Sequence, residues 1–555
     1  MKYAYADNIQ GQRERLLKSE AARPFVDQII ETADAAITQP SVAFKMSEYL
    51  LFYKTGNRTT FESSYHNRRR KCFRIAAAYW LTEDEKYLEP LIDYISYICD
   101  EFTWCVPAHA LWGQQSVQEV IEHVDLYQAE TAQMFAEIVM CLGDKLPDFI
   151  KERIELEVQR RVIAPLLRGR VFNWHICDNN WATICASGCA LAALYFATEE
   201  QREKILPPIF AAADHYLSGI GEDGCCKEGV GYWVCGFGHF IILANIIKWC
   251  GGKDYYKEQK VRNLALFPQR LRLSNSKCAS FSDCREEFSF RAGPVCFLKS
   301  IYPEVRLPDL QYGVITGNVD SFCDLLWLDS DYKADPPERK SQYFADAQWY
   351  VNKREKYSFA ACGGNNGESH SHNDVGSFMI TVGEQVLFPD LGQGTYVKET
   401  FQLETRFNFV QNCSRGHSVP IVEGKYQLYG KEHAAKNAVG TKDSFALDIE
   451  GAYETGLCEK LHRRFELGED SVTLTDTVQG ASITERFISK IPPTVCDGYV
   501  DYGIGRIVFD PEVFAVTVGQ EPFTSYDGYT VITVYQTDFT AKDPNRTEYQ
   551  FQILF

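Results

Sequence analysis

The chain has 555 residues, of which 45% are hydrophobic and 24% are charged, and its formal net charge is -18. A chain of this length exceeds what one hydrophobic core supports, and its composition is typical of globular proteins, so we predict two large domains and exclude disorder. The negative charge disfavours nonspecific nucleic-acid binding but leaves room for a local basic cleft that captures an anionic ligand.

The sequence also bears on the cellular location. We find no apolar run long enough to cross a membrane, and the first residues, MKYAYADNIQGQRERLLKSE, contain no apolar export segment. We therefore expect a cytoplasmic protein without a membrane partner, or a periplasmic one if a signal was removed. The 19 cysteines form no CxxC pairs, which favours buried reduced thiols over a disulfide framework. The sequence does not indicate an oligomeric state.

Helical periodicity dominates the chain up to about Cys250. Segments such as FRIAAAYWLTEDEKYLEPLIDYISYI and WATICASGCALAALYF place apolar residues at helical spacing and are separated by short polar or Gly/Pro turns. They predict consecutive antiparallel helix pairs. From Leu264 to Gln342 the pattern is mixed, and the stretch ADPPERKSQ has the composition of a linker that ends the helical layer.

The pattern changes after about Tyr343. Short alternating runs rich in Val, Ile, Thr, Phe and Tyr, such as SVTLTDTV and YTVITVYQT, predict antiparallel strands. Helices first and strands second imply an α+β multidomain chain with two segregated domains. We place the helical domain at residues 1–335 and the sheet domain at residues 336–555.

The stretch GGNNGESHSHNDVGSFMI contains His370 and His372, two of only eleven histidines in the chain. A hairpin predicted over residues 377–388 brings Asp390 back towards His372. His417 precedes a further strand. Imidazole and carboxylate groups are ligands that zinc accepts, so these residues predict a metal site, although an HxH pair is more often a surface or hydrogen-bonding feature.

Several motifs together resemble the heparinase II/III family of polysaccharide lyases. HSHNDVGSF is followed by LFPDLGQGTY and SRGHSVPIV, and the helical half contributes RRRKCFRIAAAYWLTEDEKY, HVDLYQAETAQMF, DNNWATICASG and EDGCCKEGVGYWVCGFG. The resemblance extends from about Arg68 to His417. It implies an N-terminal incomplete (α/α) toroid followed by a C-terminal antiparallel β-sandwich.

The resemblance also implies roles for the histidines. In the family the second histidine of the pair, an aspartate after the next hairpin and a later histidine hold a structural zinc, and these positions here are His372, Asp390 and His417. We expect Zn²⁺, with Mn²⁺ or Ca²⁺ as alternative ions. The first histidine of the pair, His370, matches the residue that faces the sugar cleft.

The resemblance further implies a reaction. Eliminating a 4-linked sugar from a uronate requires removal of the C5 proton, so the site needs a base, an acid and donors that stabilise the charge developing on the carboxylate. Asn180 matches the carboxylate-binding asparagine, and Tyr232 matches the tyrosine that acts as acid and, for some sugars, as base. The expected function is cleavage of anionic uronate-containing glycosaminoglycans of the heparan sulfate, heparosan, hyaluronan or chondroitin type by β-elimination, giving 4,5-unsaturated uronate products.

The sequence departs from the family at two positions. Several members carry a histidine directly after the catalytic asparagine and a second tyrosine after the first, where this chain has Trp181 and Cys235. The base therefore stays open between His370, His175 and Tyr232. Candidate substrate-binding residues, which either contact sugar rings or pack in the core, are Trp174, His175, Trp233, His239 and Tyr396.

Other interpretations of these patterns stay open. Asp178, Asn179 and Asn180 precede a helical run and are residue types that cap helices, and the arginines at 68–70 are typical of a solvated face. Within the same chemistry, an oligoalginate lyase is the nearest alternative. A toroid glycoside hydrolase is a second alternative, with Asp178, Asp223 and Glu228 as its acids. A noncatalytic sugar-binding protein, in which the histidines serve only the metal, is the third.

Overall fold

The computed structural model describes residues 8–39, 43–110, 116–313 and 321–555. The chain forms two compact units. The helical unit comprises Met1–Ile220, Val234–Glu258 and Phe290–Asp335, and the sheet unit comprises Gly221–Trp233, Gln259–Ser289 and Pro336–Phe555. Two segments that precede residue 336 in the chain thus belong to the sheet unit, including Gly221–Trp233, which contains Tyr232.

The helical part of the chain consists of helices that pair with their neighbours, as predicted. Thr59–Thr82 packs against both Arg23–Thr38 and Leu88–Cys99, and Asn180–Phe196 packs against both Leu126–Leu142 and Glu199–Ser218. The remaining helices of ten or more residues are Ile9–Lys18, Asp148–Val158, Val230–Trp249 and Ala292–Ile301. Shorter helices span Met46–Tyr49, Leu51–Thr55, Val117–Ile121, Ala164–Leu167, Gln259–Ala265, Phe267–Leu271, Cys323–Leu326 and Leu403–Arg406, and a π-helix spans Gln159–Ile163.

One helix corrects the expectation about apolar runs. Val230–Trp249 has 20 residues and a mean hydropathy of 1.7 in its most apolar window, so it is long and apolar enough to cross a membrane. Its aliphatic residues are interrupted by Gly, Tyr, Trp and His, so they do not form one continuous apolar run in the sequence. Of that window, 72% is buried inside the protein, so its apolar side chains pack in the protein interior.

The arginine run at residues 68–70 also differs from its prediction. Arg68 lies inside the helix Thr59–Thr82 and is only 2% exposed. Its Nε donates to Glu101 at 2.7 Å, and Nη2 of Arg69 donates to the other oxygen of the same carboxylate at 2.8 Å. The prediction of a solvated face is therefore wrong for these two residues, because the buried Glu101 compensates both charges.

The sheet unit contains three large antiparallel sheets and one short strand pair. The five-stranded sheet has the order Gln342–Phe344, Trp349–Lys353, Tyr357–Cys362, Phe378–Val382, Gln385–Phe388. The eight-stranded sheet has the order Thr494–Cys496, Tyr499–Asp501, Arg506–Val508, Glu548–Leu554, Ser471–Gln479, Lys460–Leu467, Ser444–Asp448, Lys436–Gly440. The four-stranded sheet has the order Phe514–Thr524, Val531–Ala541, Ile483–Ser489, Ile421–Val422, and Asn365–Asn366 pairs with Gly430–Ala434.

The sheets share one hydrophobic core. Phe378, Phe465 and Phe487 come from three different sheets, are fully buried and belong to the same cluster. Alternation along Ser471–Gln479 places Val472, Leu474 and Val478 on the buried face, which is the period-two pattern that the sequence showed. The predicted fold class, helices first and an antiparallel β-sandwich second, is confirmed.

A buried arginine holds several segments of the sandwich together. The Arg463 guanidinium pairs with Asp476 at 2.6 Å and with Glu485 at 2.5 Å. Its Nη1 donates to the carbonyl oxygens of Gly376 and Ser418, both at 2.9 Å. Each of those carbonyls lies within two residues of a side chain in the site described below, so the network fixes the backbone that carries the site.

Candidate functional site

The predicted hairpin forms and gathers the proposed metal ligands. Its strands are Phe378–Val382 and Gln385–Phe388, and beyond it an Asp390 oxygen lies 4.0 Å from His372 Nδ1 and the other lies 3.1 Å from His417 Nδ1. Asp374 completes the group: one potential ligand atom from each of the four residues lies within 4.8 Å of all the others. The sequence analysis missed Asp374, although it lies in the same HSHND motif.

The orientation of both imidazoles fits a bound cation. His372 Nε2 lies 3.0 Å from an Asp283 oxygen, and His417 Nε2 lies 2.8 Å from the Gln411 carbonyl oxygen. Each ring therefore presents Nδ1 to the carboxylates, and metal-binding histidines are commonly held through the other nitrogen in this way. His372 Nδ1 is buried and has no hydrogen-bond partner among the described residues, which is costly unless a ligand satisfies it. Two imidazoles and two carboxylates suit a divalent ion such as Zn²⁺.

Burial and neighbouring charges shift the pKa values of the two carboxylates in this four-residue cluster in opposite directions. Burial raises the pKa of Asp374 above its ordinary value. Burial also acts to raise the pKa of Asp390, but His417, His372 and the Gly392 amide together outweigh burial and hold that pKa below its ordinary value. Two carboxylates close together in a dry site repel each other when both are ionised, and a divalent cation removes that repulsion.

A second group of side chains, here called the tyrosine–histidine cluster, consists of Tyr232, Asp283, His370 and Tyr396. The Tyr232 hydroxyl lies 3.2 Å from His370 Nδ1 and 2.9 Å from the Tyr396 hydroxyl. The Tyr232 and His370 rings stack with centroids 4.4 Å apart. All four residues belong to the sheet unit, so the structure brings together three residues that the sequence analysis singled out and one that it missed.

The residue that sequence reasoning missed, Asp283, joins the two clusters. One of its oxygens accepts from the Tyr396 hydroxyl at 2.8 Å and lies 2.8 Å from His370 Nδ1, while the other lies 3.0 Å from His372 Nε2. Asp283 is completely buried. Burial acts to raise its pKa, but the bonds to the two histidines outweigh burial and hold the pKa far below the ordinary value. A lone aspartate in the segment FSDCREE gave no signal of this role.

The backbone around Asp283 is strained. His370 has φ 59° and Ser282 has φ 63°, a left-handed conformation that costs of order 1–3 kcal/mol for residues other than glycine. The Asp283 amide donates to the His370 carbonyl at 3.1 Å, which ties the two strained segments together. Strain of this kind persists where surrounding structure enforces it, commonly at functional sites.

The protonation states in the tyrosine–histidine cluster follow from the shared carboxylate. Burial acts to lower the pKa of His370, but the hydrogen bond to Asp283 outweighs burial and raises the pKa above its ordinary value. Burial, with the neighbouring Tyr232 and Asp283, raises the pKa of Tyr396 well above 10.0. His370 is therefore favoured as an imidazolium that donates hydrogen bonds, and Tyr396 as a neutral phenol.

Asn180 lies in the helical unit, as the first residue of the helix Asn180–Phe196. The capping role that the sequence left open belongs to Asn179, whose side chain accepts from the Trp181 amide at 3.1 Å. The Asn180 carboxamide makes no hydrogen bond with any residue that the structure describes. Asn180 is 8% exposed.

The other predicted substrate-binding residues are mostly engaged in packing. Trp174 is 1% exposed and donates to the Val124 carbonyl, and His175 stacks on it with ring centroids 3.7 Å apart. Trp233 is 3% exposed and donates to the Leu264 carbonyl. These contacts favour the packing interpretation that the sequence left open.

His239 is a core residue. It is completely buried in the helical unit, and its Nδ1 lies 2.7 Å from the Ser187 hydroxyl. Burial lowers its pKa to about 3, so the ring is neutral. Among the acids considered for a hydrolase, Asp223 accepts from the backbone amides of Cys225, Asp346 and Ala347, which gives it a structural role.

Comparisons with known proteins agree with this architecture. Residues 336–499 match the model of the family "Heparinase II/III-like, C-terminal". A solved structure of heparinase III aligns over 99% of this chain and 92% of its own, with a TM-score of 0.62 and 13% identity. Heparan sulfate lyase HepC from Pedobacter heparinus aligns over 100% of this chain and 92% of its own, with a TM-score of 0.57 and 12% identity.

A third solved structure, chondroitin AC lyase from Streptomyces coelicolor A3 in complex with chondroitin sulphate, aligns over 99% of this chain and 83% of its own, with a TM-score of 0.56 and 12% identity. No curated protein sequence matches the chain. At these identities the solved structures establish the fold. The chain therefore has the fold of the heparinase and chondroitin lyases, and its residues 336–499 match the C-terminal domain model of the heparinase II/III-like family.

Proposed function

We propose that this protein is a polysaccharide lyase that cleaves uronate-containing glycosaminoglycans by β-elimination. The observation that carries the proposal is the Tyr232 hydroxyl held between His370 and Tyr396 at hydrogen-bonding distance. Proteins of the same fold are named heparan sulfate lyase and chondroitin AC lyase, which favours a glycosaminoglycan over alginate. The product assay described below identifies which polymer is preferred.

In the proposed reaction, Tyr232 moves the protons. As a phenolate base it takes the C5 proton and becomes a phenol, the C5–H electrons form the C4–C5 double bond, and the C4–O bond breaks with its electron pair leaving on the oxygen. The leaving oxygen receives a proton from the same phenol. His370, favoured as an imidazolium by Asp283, acts as a donor that stabilises negative charge rather than as the base. The sequence left the base open between His370, His175 and Tyr232, and we propose Tyr232 for this role.

Two further roles belong to the proposal. Asn180 keeps its role as carboxylate-binding residue on the ground of the resemblance and of a carboxamide that pairs with no described residue. A divalent ion, which we expect to be zinc, would be held by His372, Asp374, Asp390 and His417 and would supply structural stabilisation. His372 also contacts Asp283. An ion that holds the His372 imidazole in place would therefore also hold the Asp283 carboxylate, which orients His370.

The test of the function is a product assay. The protein is incubated with heparosan, heparan sulfate, hyaluronan, chondroitin sulfate and alginate, and ultraviolet absorbance is followed. At least one glycosaminoglycan should yield absorbing 4,5-unsaturated uronate ends, because only elimination creates that conjugated product. Reducing sugar released without absorbance would indicate a hydrolase, and binding without turnover would indicate a sugar-binding protein.

The metal site is tested separately. Purified protein should contain about one zinc per chain, and Asp374→Ala or His372→Ala should lower both the metal content and the melting temperature, since a structural ion contributes its binding free energy to folding. Elemental analysis and thermal unfolding measure these quantities. His462, which pairs with Asp448 outside this cluster at 2.6 Å, offers a control: His462→Ala should keep the metal.

Full metal content and stability in His372→Ala would refute the site. Retention of the ion in Asp374→Ala alone would reduce the ligand set to the three residues predicted from sequence. Manganese or calcium in place of zinc would keep the site and change the ion.

A further inference from the structure

An exposed aromatic turn projects from the four-stranded sheet. The strands Phe514–Thr524 and Val531–Ala541 are joined by the turn 525–530, in which Tyr526 is 43% exposed and Tyr529 is 83% exposed. The turn is well ordered by Asp527, whose side chain accepts from the amides of Tyr529 and Thr530 at 2.9 and 2.8 Å. The two rings are therefore presented to solvent on a defined backbone.

The turn is attached to the segment that carries Tyr396. Gly394 forms a β-bridge with Ser525. The Thr395 hydroxyl donates to the Ser525 carbonyl at 2.6 Å, and the Thr395 amide donates to the Thr524 carbonyl at 3.3 Å. Because Tyr396 is the next residue along the chain, the aromatic turn is fixed beside the tyrosine–histidine cluster.

An arginine covers one of the exposed rings. The Arg285 guanidinium carbon lies 3.4 Å from the centroid of the Tyr526 ring, and Arg285 Nε donates to Gln393 at 3.4 Å. The pKa of Asp527 in the same turn is lowered mainly by its hydrogen bonds to Thr530 and Tyr529 and to a smaller extent by the charge of Arg285. Among the described residues, no carboxylate forms a salt bridge with Arg285. A guanidinium stacked on a ring keeps its N–H edge available for a carboxylate or sulfate.

The same arginine lies close to the cluster along the chain. Arg285 follows Asp283 by two residues, so their Cα atoms are at most about 7 Å apart. The segment 283–285 carries both Asp283 and Arg285, and the segment 394–396 carries Tyr396 and bonds to the aromatic turn. The aromatic and cationic surface is thus attached to two segments that contribute to the tyrosine–histidine cluster.

We propose a substrate subsite formed by Arg285, Tyr526 and Tyr529. It would bind an anionic sugar residue of the polysaccharide that the enzyme cleaves. An aromatic face suits the apolar face of a pyranose ring, and the guanidinium suits a carboxylate or sulfate on that sugar. The inference rests on the proposed function, since it assigns the surface to substrate beyond the point of cleavage. The ligand class is an oligosaccharide that bears carboxylate or sulfate groups.

The experiment measures binding apart from turnover. In the Tyr232→Phe background, size-defined heparosan and chondroitin sulfate oligosaccharides are titrated calorimetrically, with neutral dextran as a reference. Arg285→Ala and Tyr526→Ala should each weaken binding of the longer oligosaccharides about tenfold, the usual scale for a charge-assisted contact or a stacked ring. Tyr526→Phe keeps the ring and should retain most of the affinity.

A matched control is available on other strands of the sheet unit. Arg506 lies over the Tyr499 ring at 5.7 Å, and neither residue contributes to either cluster. Arg506→Ala removes the same charge and should leave binding within about twofold, because long-range screening weakens the effect of a distant surface charge. Equal losses in Arg285→Ala and Arg506→Ala would overturn the subsite, because they would reflect overall charge.

The outcomes separate the subsite from the proposed function. If the parent forms unsaturated product but Arg285→Ala and Tyr526→Ala leave KM for long chains unchanged, the subsite fails and the lyase stands. If no polymer yields product while binding depends on Arg285, the subsite stands and the lyase fails. Absence of binding to every anionic oligosaccharide would overturn the subsite.

Discussion

Replacing Tyr232 by phenylalanine should lower kcat at least about a hundredfold, the usual contribution of a positioned acid–base group. The substitution removes one oxygen, and with it the contacts of 3.2 Å to His370 and 2.9 Å to Tyr396. The ring that stacks on His370 is kept. The fold and the affinity for saccharide should therefore change little, and formation of unsaturated uronate ends measures the loss.

A control for this substitution comes from Tyr357, a buried tyrosine elsewhere in the sheet unit. The Tyr357 hydroxyl donates to the carbonyls of Gly468 and Ser471 and contacts neither cluster, so Tyr357→Phe should leave kcat within about twofold of the parent, with the modest loss of stability typical of one hydrogen bond. A Tyr232→Phe variant as fast as the parent would refute the mechanism even if the protein proved to be a lyase.

Replacing Asp283 by asparagine should lower kcat about ten- to hundredfold, the range typical of groups that orient a catalytic or metal-binding histidine. Asparagine keeps the size but offers only one acceptor oxygen, whereas Asp283 uses one oxygen for His370 and Tyr396 and the other for His372. One of the two clusters must therefore lose its acceptor. We expect a large effect on kcat and a small one on KM, because Asp283 acts by positioning and is completely buried.

Metal content provides the second readout for Asp283→Asn. A loss of metal would place the effect at His372, whereas retained metal with low kcat would place it at His370. The matched control is Asp448→Asn, another carboxylate of the sheet unit, which pairs with His462 at 2.6 Å outside both clusters. It should reduce stability by about 1 kcal/mol or less, as expected for a partly exposed ion pair, and should leave kcat unchanged. Unchanged kcat in Asp283→Asn would refute the positioning role.

The local patterns of the sequence were sufficient for the secondary structure and for part of the metal cluster. The alternation in SFMITV and QVLF, with Gly383 and Glu384 between, fixes a hairpin, and the hairpin by itself returns Asp390 towards His372. A short connection with a regular period leaves little freedom, so the contact followed from the sequence. The family resemblance predicted the roles of Tyr232, Asn180 and His370. Helical and strand periodicity could not predict them, because periodicity indicates which face is buried and not which residues are catalytic.

What the tertiary structure alone decided are the contacts between distant segments. Tyr232 and His370 are 138 positions apart, and Asp283 and His372 are 89 apart. No period in the sequence connects them, because helical and strand periods specify only which face of an element is buried. The same holds for the ion pairs of Arg68 and Arg69 with Glu101 and for the attachment of the 525–530 turn to Thr395. The sequence by itself determined the elements, their buried faces and the hairpin, whereas packing of the sandwich core decided that one carboxylate, Asp283, serves both clusters.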